Sequence, residues 1–363
     1  MAINLDIAPL SEWGFFTLPR PCVVAGPCSA ESEEQVMQTA KLLREMGINV
    51  FRAGIWKPRT HPGCFEGAGV EGLKWLAKAK KEYGLKICTE VASEKHVYEC
   101  IKHGVDMVWL GARTTANPFL VQEIAEALRD TDMPVLVKNP VSPDIDLWIG
   151  AMERLNREGI RKIGIIHRGF TSLDEKKYRN APHWEMAVEL KSRYPQLPFF
   201  CDPSHMSGKR EYIQELSQKA MNIGFDGLMI ESHINPSCAL SDAKQQLTPS
   251  QLSELLYKQI TVRDSDTDDA DYHENIDALR ERIDSCDEAL LRTLAARMQI
   301  SRRIGQFKKD HNIAIVQTSR WDSILEAVLK SADIYNLDRE FITNVFNAIH
   351  DASVQEQNKI LSE

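Results

Sequence analysis

This 363-residue chain has no surplus of basic residues: 44 Lys and Arg stand against 52 Asp and Glu, a formal net charge of −8. A nucleic acid is met by a basic face, so that class of partner is excluded, and any anionic ligand must be held by local clusters of cations. Long apolar runs are missing too. None approaches the roughly 20 residues that span a bilayer, and the opening "MAINLDIAPL" has no charged stretch leading into an apolar one. The expectation is a soluble cytoplasmic protein with no membrane partner. Its eight cysteines lack the dense, regular spacing of a secreted disulfide scaffold. They read as reduced thiols, each free to be core, nucleophile or ligand.

The length suits two domains better than one. Between residues 20 and 235, eight short β-rich apolar runs alternate with helix-period segments. They are "CVVAG" (22–26), "NVFRAG" (49–54), "LKICTEV" (85–91), "DMVWLGA" (106–112), "PVLVKN" (134–139), "IGIIHRG" (163–169), "LPFFCDPSH" (197–205) and "GLMIESH" (227–233). Strands apolar on both faces suit an all-parallel sheet covered by helices. Eight β-α units in about 240 residues predict an α/β fold, a (β/α)8 TIM barrel over residues 1–260. A miscount by one would leave an open doubly wound sheet as the competitor. "GFFTLPR" (14–20) is expected as an extra strand capping the barrel bottom.

Past residue 260 the composition changes. "TVRDSDTDDADYHEN" (261–275) is acidic and almost without aliphatic residues, and 261–272 reads as a linker. Residues 273–363 then form an all-α domain. Ile276, Leu279, Ile283, Leu290, Leu294, Met298 and Ile304 make a helical stripe free of Pro and Gly up to Gly305. A helix over about 274–309 would be roughly 50 Å long, more than a small domain can bury, so it needs a partner chain. Two more helices are expected near 317–331 and 338–359.

Residues at the C-terminal ends of barrel strands face the active site. Cys28 follows strand 1, His205 follows strand 7, Glu231 ends strand 8, and Asp242 lies just beyond it. Each alone has a bland reading as core or solvated group. Together they converge, because strands 7, 8 and 1 become neighbours when a barrel closes. One thiol, one imidazole and two carboxylates form a mixed-softness set able to hold Mn, Fe, Co or Zn rather than a dedicated Mg site. Cations stand at the same ends: Arg52, Lys57 with Arg59, Arg113, Lys138 and Arg168. Buried cations need anions, so the ligand should carry phosphate and carboxylate.

"AGPCSAES", "FRAGIWKPRT", "GAR", "DPSH" and "IESH…SDAKQQL" resemble, in that order, the signature blocks of the type I-beta 3-deoxy-7-phosphoheptulonate (DAHP) synthases, over about residues 10–260. The resemblance implies condensation of phosphoenolpyruvate with erythrose 4-phosphate on a divalent metal, manganese foremost, with iron, cobalt or zinc as alternatives. It implies Cys28, His205, Glu231 and Asp242 as ligands. Arg52, Lys57, Ala112, Arg113, Lys138 and Arg168 would hold phosphoenolpyruvate, and Lys57, Pro58, Arg59 and Thr60 the aldose phosphate. Lys57 or Lys138 is the expected proton donor. The sister family using arabinose 5-phosphate is the near alternative, though "KPRT" favours the four-carbon aldehyde. A Schiff-base aldolase would leave the thiol and carboxylates without a role.

"IDALRERIDSCDEALLRTLAARMQISRRIGQFKK", "SRWDSIL" and "IHDASVQEQ" resemble the all-helical chorismate mutases, over about 273–363. The implied reaction is the rearrangement of chorismate to prephenate. The implied site is Arg280 from the partner chain with Arg297, Lys308, Gln317, Arg320, Ser353 and Gln357, Lys308 and Gln357 donating to the ether oxygen. Trp321 stands where many relatives have Glu. The implied assembly is a homodimer through the helical domain, or a larger one. The two reactions are not consecutive, so the fusion is expected to serve feedback inhibition by prephenate or chorismate; the rival is a helical module that only dimerises and senses.

Overall fold

The eight apolar runs form eight parallel strands that hydrogen-bond in sequence order and close into a barrel: β1 Cys22–Gly26, β2 Val50–Arg52, β3 Lys86–Val91, β4 Met107–Leu110, β5 Val135–Lys138, β6 Ile163–His167, β7 Phe199–Cys201 and β8 Gly227–Glu231. Closure is by β1 on β8, with Val24 opposite Met229 and Gly26 opposite Glu231. This rules out the open doubly wound sheet. The computed structural model describes residues 5–16, 20–57, 63–172, 175–264, 267–315 and 318–362, with only the backbone at 318–320.

Strand side chains alternate between the faces of the sheet. One set, including Phe51, Ile87, Val108, Val137, Ile165 and Ile230, packs outward under the helices. The other fills the barrel: Val24, Val50, Cys88, Met107, Trp109, Leu136, Ile166, Phe200 and Met229. Two residues further along six of the strands the same alternation sets Arg52, Glu90, Lys138, Arg168, Asp202 and Glu231 above this apolar layer. The site is therefore a consequence of strand periodicity. Gly26 permits the close approach of β1 to β2, since a Cβ there would lie 2.0 Å from the Arg52 carbonyl oxygen. Helices start on side-chain caps as the chain leaves the strands: Ser32 accepts from Gln35 N, Ser93 from His96 N and Asp144 from Leu147 N.

The extra bottom strand expected at 14–20 is not formed at 14–16, and 17–19 lie outside the described residues. A closed barrel has no free edge to accept another strand. Aromatic side chains plug the floor instead. Trp13, carried on a short 3₁₀ turn at Leu10–Trp13, joins the interior cluster, and the Phe16 ring lies 5.5 Å from that of Phe200.

The chain divides into two compact units, Met1–Ser265 and Asp266–Glu363. Thr261 belongs to the first, exchanging hydrogen bonds with the Gln218 side chain at 2.9 and 2.8 Å. With Arg263 bonded to Asn222 and a helix beginning at Ala270, the link is shorter than composition suggested. Among the described residues the second unit has three helices, Ala270–Asp310, Thr318–Ile334 and Arg339–Ser362. The long helix runs about 60 Å at 1.5 Å per residue, and its only buried residues are Ser301 and Gly305. Leu279, Ile283, Leu290 and Leu291 are at least half exposed.

Outside the barrel interior, His167 at the end of β6 sits among Trp148, Phe170, Trp184 and Phe225. Burial is the largest cause of its pKa falling to about 4, while a hydrogen bond from Nε2 to the Pro182 carbonyl, 2.6 Å away, opposes the shift. An unfolded His titrates near about 6.5, so between that pH and about 4 the unfolded chain binds one more proton than the folded one. Stability therefore falls by about 1.4 kcal/mol per pH unit as the pH drops through that window, and is unaffected by this group above it. Urea unfolding of His167→Phe at pH 7 and pH 5 should show that slope reduced; an unchanged slope would contradict the assignment.

Candidate active site and metal centre

The ligand atoms of Cys28, His205, Glu231 and Asp242 lie within 4.8 Å of one another. Four elements bring them together. Cys28 follows β1, His205 sits on the turn of helix Pro203–Ser207 capped by Asp202, Glu231 ends β8, and Asp242 occupies a left-handed position (φ 47°) beyond it. Ligand bonds of about 2.0–2.3 Å put opposed donors about 4–4.6 Å apart, so the spread suits one divalent ion. A further observation fits: Glu231 Oε1 is buried with no hydrogen-bond partner among the described residues. Asp242 Oδ2 stands 3.4 Å from Cys28 Sγ, and His205 Nε2 is 3.5 Å from Glu231 Oε1.

Cations surround this cluster. Lys57 Nζ donates to Cys28 Sγ at 3.0 Å, and Arg52 lies 3.3 Å from Glu231 Oε1 while its Nε and Nη1 are buried with no partner among the described residues. Lys138 pairs with Asp202 at 2.8 Å, and Arg168 donates to Asn180 Oδ1 at 2.8 Å. The Trp109 ring lies beneath Arg52 and Lys138, 4.8 and 5.8 Å from its centroid, and donates its N–H to Glu90. Above them opens a cavity of about 490 Å³ lined by Lys57, Ala112, Arg113, Lys138, Arg168 and His205 among others. Gly111 keeps its edge clear, since a Cβ there would meet Glu90 Oε1 at 2.3 Å.

The electrostatics follow from burial and pairing. Burial, with the Glu231 carboxylate adding to it, pushes the Cys28 thiol up to about 12, so binding a metal there displaces a proton and tightens as pH rises. Burial is the largest influence on Glu231 and Asp202 and opposes their ionisation, but the surrounding charges together outweigh it, His205 with Arg52 at Glu231 and His205 with Lys138 at Asp202, and both pKa values are lowered. Burial lowers Arg168 to about 10, leaving it charged at neutral pH. Lys57 is raised: burial works against its ammonium, and Cys28 and Glu231 prevail.

Pro58, Arg59 and Thr60, expected to hold the aldose phosphate, lie outside the described residues. Sequence reasoning missed Asp202, whose Oδ1 accepts the His205 backbone N–H at 3.0 Å and whose Oδ2 lies 2.8 Å from His205 Nδ1 while pairing with Lys138. It missed Arg179, 3.0 Å from Asp242 Oδ1, and Asn180, which joins Arg168 to the His205 carbonyl. Asp202 was visible in "DPSH", three residues before the imidazole; Arg179 and Asn180 carried no local signal.

In the helical unit, Arg297 Nη1 donates to Ser353 Oγ at 2.6 Å and Gln357 Nε2 to Ser301 Oγ at 3.2 Å, across the seam between the first and last helices. Gln357 Oε1 is buried with no partner among the described residues. Lys308 Nζ donates to the Ile315 carbonyl. Arg280 is not with them: it is exposed and paired with Asp277 at 3.0 Å, 17 residues or about 25 Å before Arg297. Gln317 is outside the described residues, as is the Arg320 side chain. Trp321 stacks on His350 with centroids 4.0 Å apart.

Residues 19–265 match the family described as the DAHP synthetase I family, and residues 279–358 match chorismate mutase type II. A phospho-2-dehydro-3-deoxyheptonate aldolase of Thermotoga maritima is 34% identical over 252 residues, 69% of this chain and 71% of that protein. A 2-dehydro-3-deoxyphosphooctonate aldolase of Desulfotalea psychrophila is 29% identical over 275 residues, 66% of this chain and 89% of that protein. The crystal structure of a DAHP synthase from Thermotoga maritima is similar with a TM-score of 0.59 at 34% identity, over 64% of this chain and 66% of that one, so the match spans about two thirds of each. With its closed barrel and its three-helix unit, the chain belongs to the DAHP synthetase I family and carries a chorismate mutase type II domain, a transferase and an isomerase on one polypeptide.

Proposed function

We propose that the barrel condenses phosphoenolpyruvate with erythrose 4-phosphate and water to DAHP and phosphate, and that the helical unit converts chorismate to prephenate. The observation that carries the first reading is the convergence of Cys28, His205, Glu231 and Asp242 beside a buried Arg52 with two N–H groups unpartnered among the described residues. A divalent metal, manganese foremost, would be held by those four residues and supply Lewis-acid polarisation of the aldehyde.

The chain's own residues do the rest. Arg52, Lys138 and Arg168, with the exposed Arg113 at the cavity's edge, hold the carboxylate and phosphate of phosphoenolpyruvate, and the buried ones among them are fixed charges that need no reorganisation. The enol carbon attacks the aldehyde carbon, a C–C bond forms, and the former carbonyl oxygen takes a proton. Lys57 is the donor, because its Nζ already points at the ligand cluster, whereas Lys138 is committed to Asp202. Water adds to the second carbon of the former enol and phosphate leaves. In the helical unit Arg297 holds a carboxylate, and Lys308 and Gln357 donate to the ether oxygen as its bond breaks.

The exposed apolar stripe Leu279, Ile283, Leu290 and Leu291 supports a homodimer through the long helix, which would bring the partner's guanidinium at position 280 to the Arg297 end. Free thiols, three of them exposed, support a reducing cytoplasmic setting. Because the reactions are not consecutive, the helical unit is also read as a sensor through which prephenate or chorismate restrains the barrel, and phosphoenolpyruvate in turn weakens their binding.

The test is phosphate release from phosphoenolpyruvate with erythrose 4-phosphate or arabinose 5-phosphate, before and after chelation and metal restoration, with prephenate titrated in. Metal-dependent release with the four-carbon aldehyde, suppressed by prephenate and insensitive to it once the chain is cut near Asp268, supports the whole reading. Preference for arabinose 5-phosphate would overturn the substrate, and equal inhibition after the cut would overturn the sensor.

A further inference from the structure

The reaction scheme leaves two adjacent buried amides unused. Gln245 and Gln246, 1% and 0% exposed, follow Asp242 on the same loop. A buried amide is costly unless hydrogen-bonded, and all four amide atoms here have partners. Gln246 Oε1 accepts the backbone N–H of Cys28 at 2.9 Å, and its Nε2 donates to the Ser241 carbonyl at 2.8 Å, one residue before Asp242. One amide thus spans two ligand-bearing loops. Gln245 Nε2 donates to Glu231 Oε2 at 2.7 Å, and its Oε1 accepts Arg179 Nη1 at 3.1 Å. The same Arg179 nitrogen donates to Asp242 Oδ1 at 3.0 Å.

Each carboxylate therefore has one oxygen tied and one presented. Glu231 offers Oε1, the oxygen with no hydrogen-bond partner among the described residues, and Asp242 offers Oδ2, the oxygen near Cys28 Sγ. The geometry points to Gln245 and Gln246 as positioning residues that hold Cys28, Glu231 and Asp242 in one arrangement, with both carboxylates limited to a single donor oxygen. This rests on the reading of those residues with His205 as the metal site. Apolar side chains of the same length would fill the space; only the amides fix the directions of the ligands.

The test is titration of the metal-free, full-length protein with cobalt(II), followed by the thiolate-to-cobalt absorption band, in wild type, Cys28→Ser, Gln246→Met and Gln245→Met. Wild type should show the band and Cys28→Ser should lose it. Both Gln variants should bind cobalt about 10- to 100-fold more weakly. Gln246→Met should also displace the band, because the Cys28 backbone N–H has lost its acceptor, while Gln245→Met keeps the band and loses affinity alone. Thermal melting of each metal-free variant reports its fold, and Gln245→Met, which strips no backbone group, carries the test if Gln246→Met does not fold. Wild-type affinity and band in the folded variants would overturn the positioning role. Absence of a Cys28-dependent band in wild type would instead overturn the metal site, and this inference with it.

Discussion

Cys28→Ala should lower phosphate release from phosphoenolpyruvate and erythrose 4-phosphate by about a thousandfold, while prephenate formation by the same protein is unchanged. The thiol is the one soft donor in the cluster, and it is held at 3.4 Å from Asp242 and 3.0 Å from Lys57. Losing it weakens the ion and frees the Lys57 ammonium to drift. Lewis-acid stabilisation is worth several kcal/mol, and each 1.36 kcal/mol is a factor of about ten in rate, which sets the size of the loss. Chelation of the wild type should reproduce it, with recovery on adding manganese, and recovery should be easier at higher pH because the buried thiol, raised to about 12, must release its proton. Mutase activity in the same sample reports that the chain has folded. Near-normal release by Cys28→Ala would remove Cys28 from the site.

The second large effect belongs to the helical unit. Lys308→Ala and Gln357→Ala should each cut mutase turnover by about 10²- to 10³-fold, the usual worth of one preorganised donor to a developing charge. Arg280→Ala should be similarly impaired although Arg280 lies on the exposed half of the long helix, because it acts in the partner's site. The decisive experiment is to mix two dead proteins. Arg280→Ala and Lys308→Ala subunits, exchanged in equal amounts, should form heterodimers in which one site of two is intact, restoring about a quarter of wild-type activity in a two-fold dimer. The wild type should sediment at twice its 41.2 kDa chain mass. A monomeric mass, or no complementation, would sink the shared site and return the exposed stripe at Leu279, Ile283 and Leu290 to an unexplained surface.

These expectations depend on features of very unequal visibility in the sequence. The barrel was legible because strands buried on both faces are short apolar runs, and eight of them at even spacing have few other architectures available. Cys28, His205 and Glu231 were legible as polar residues closing such runs. Asp242 had no periodic signal of its own and came from its place after β8 and from family resemblance. The strand expected at 14–20, not formed at 14–16, was suggested because "GFFTL" is as apolar as a strand; nothing local says that the barrel offers no edge there. Trp13 and Phe16 belong to the floor of the barrel for reasons of volume, not of pattern.

What the sequence determined by itself, then, is the local code: a period of two that lifts Arg52, Lys138, Arg168 and Glu231 over an apolar layer, and a helical stripe too long for the small domain that carries it. What only the tertiary structure decided is convergence. That donor atoms of Cys28, His205, Glu231 and Asp242 fall within 4.8 Å of one another, that Asp202 pairs with Lys138, that Trp109 underlies two cations, and that Gln246 and Gln245 bond to the Cys28 backbone and to Glu231 all depend on residues far apart in sequence. Local periodicity is written into the chain because each residue's face is set by its near neighbours. A contact between residues 28 and 246 has no period, and exists only because β1 and β8 close the sheet and bring its two ends together.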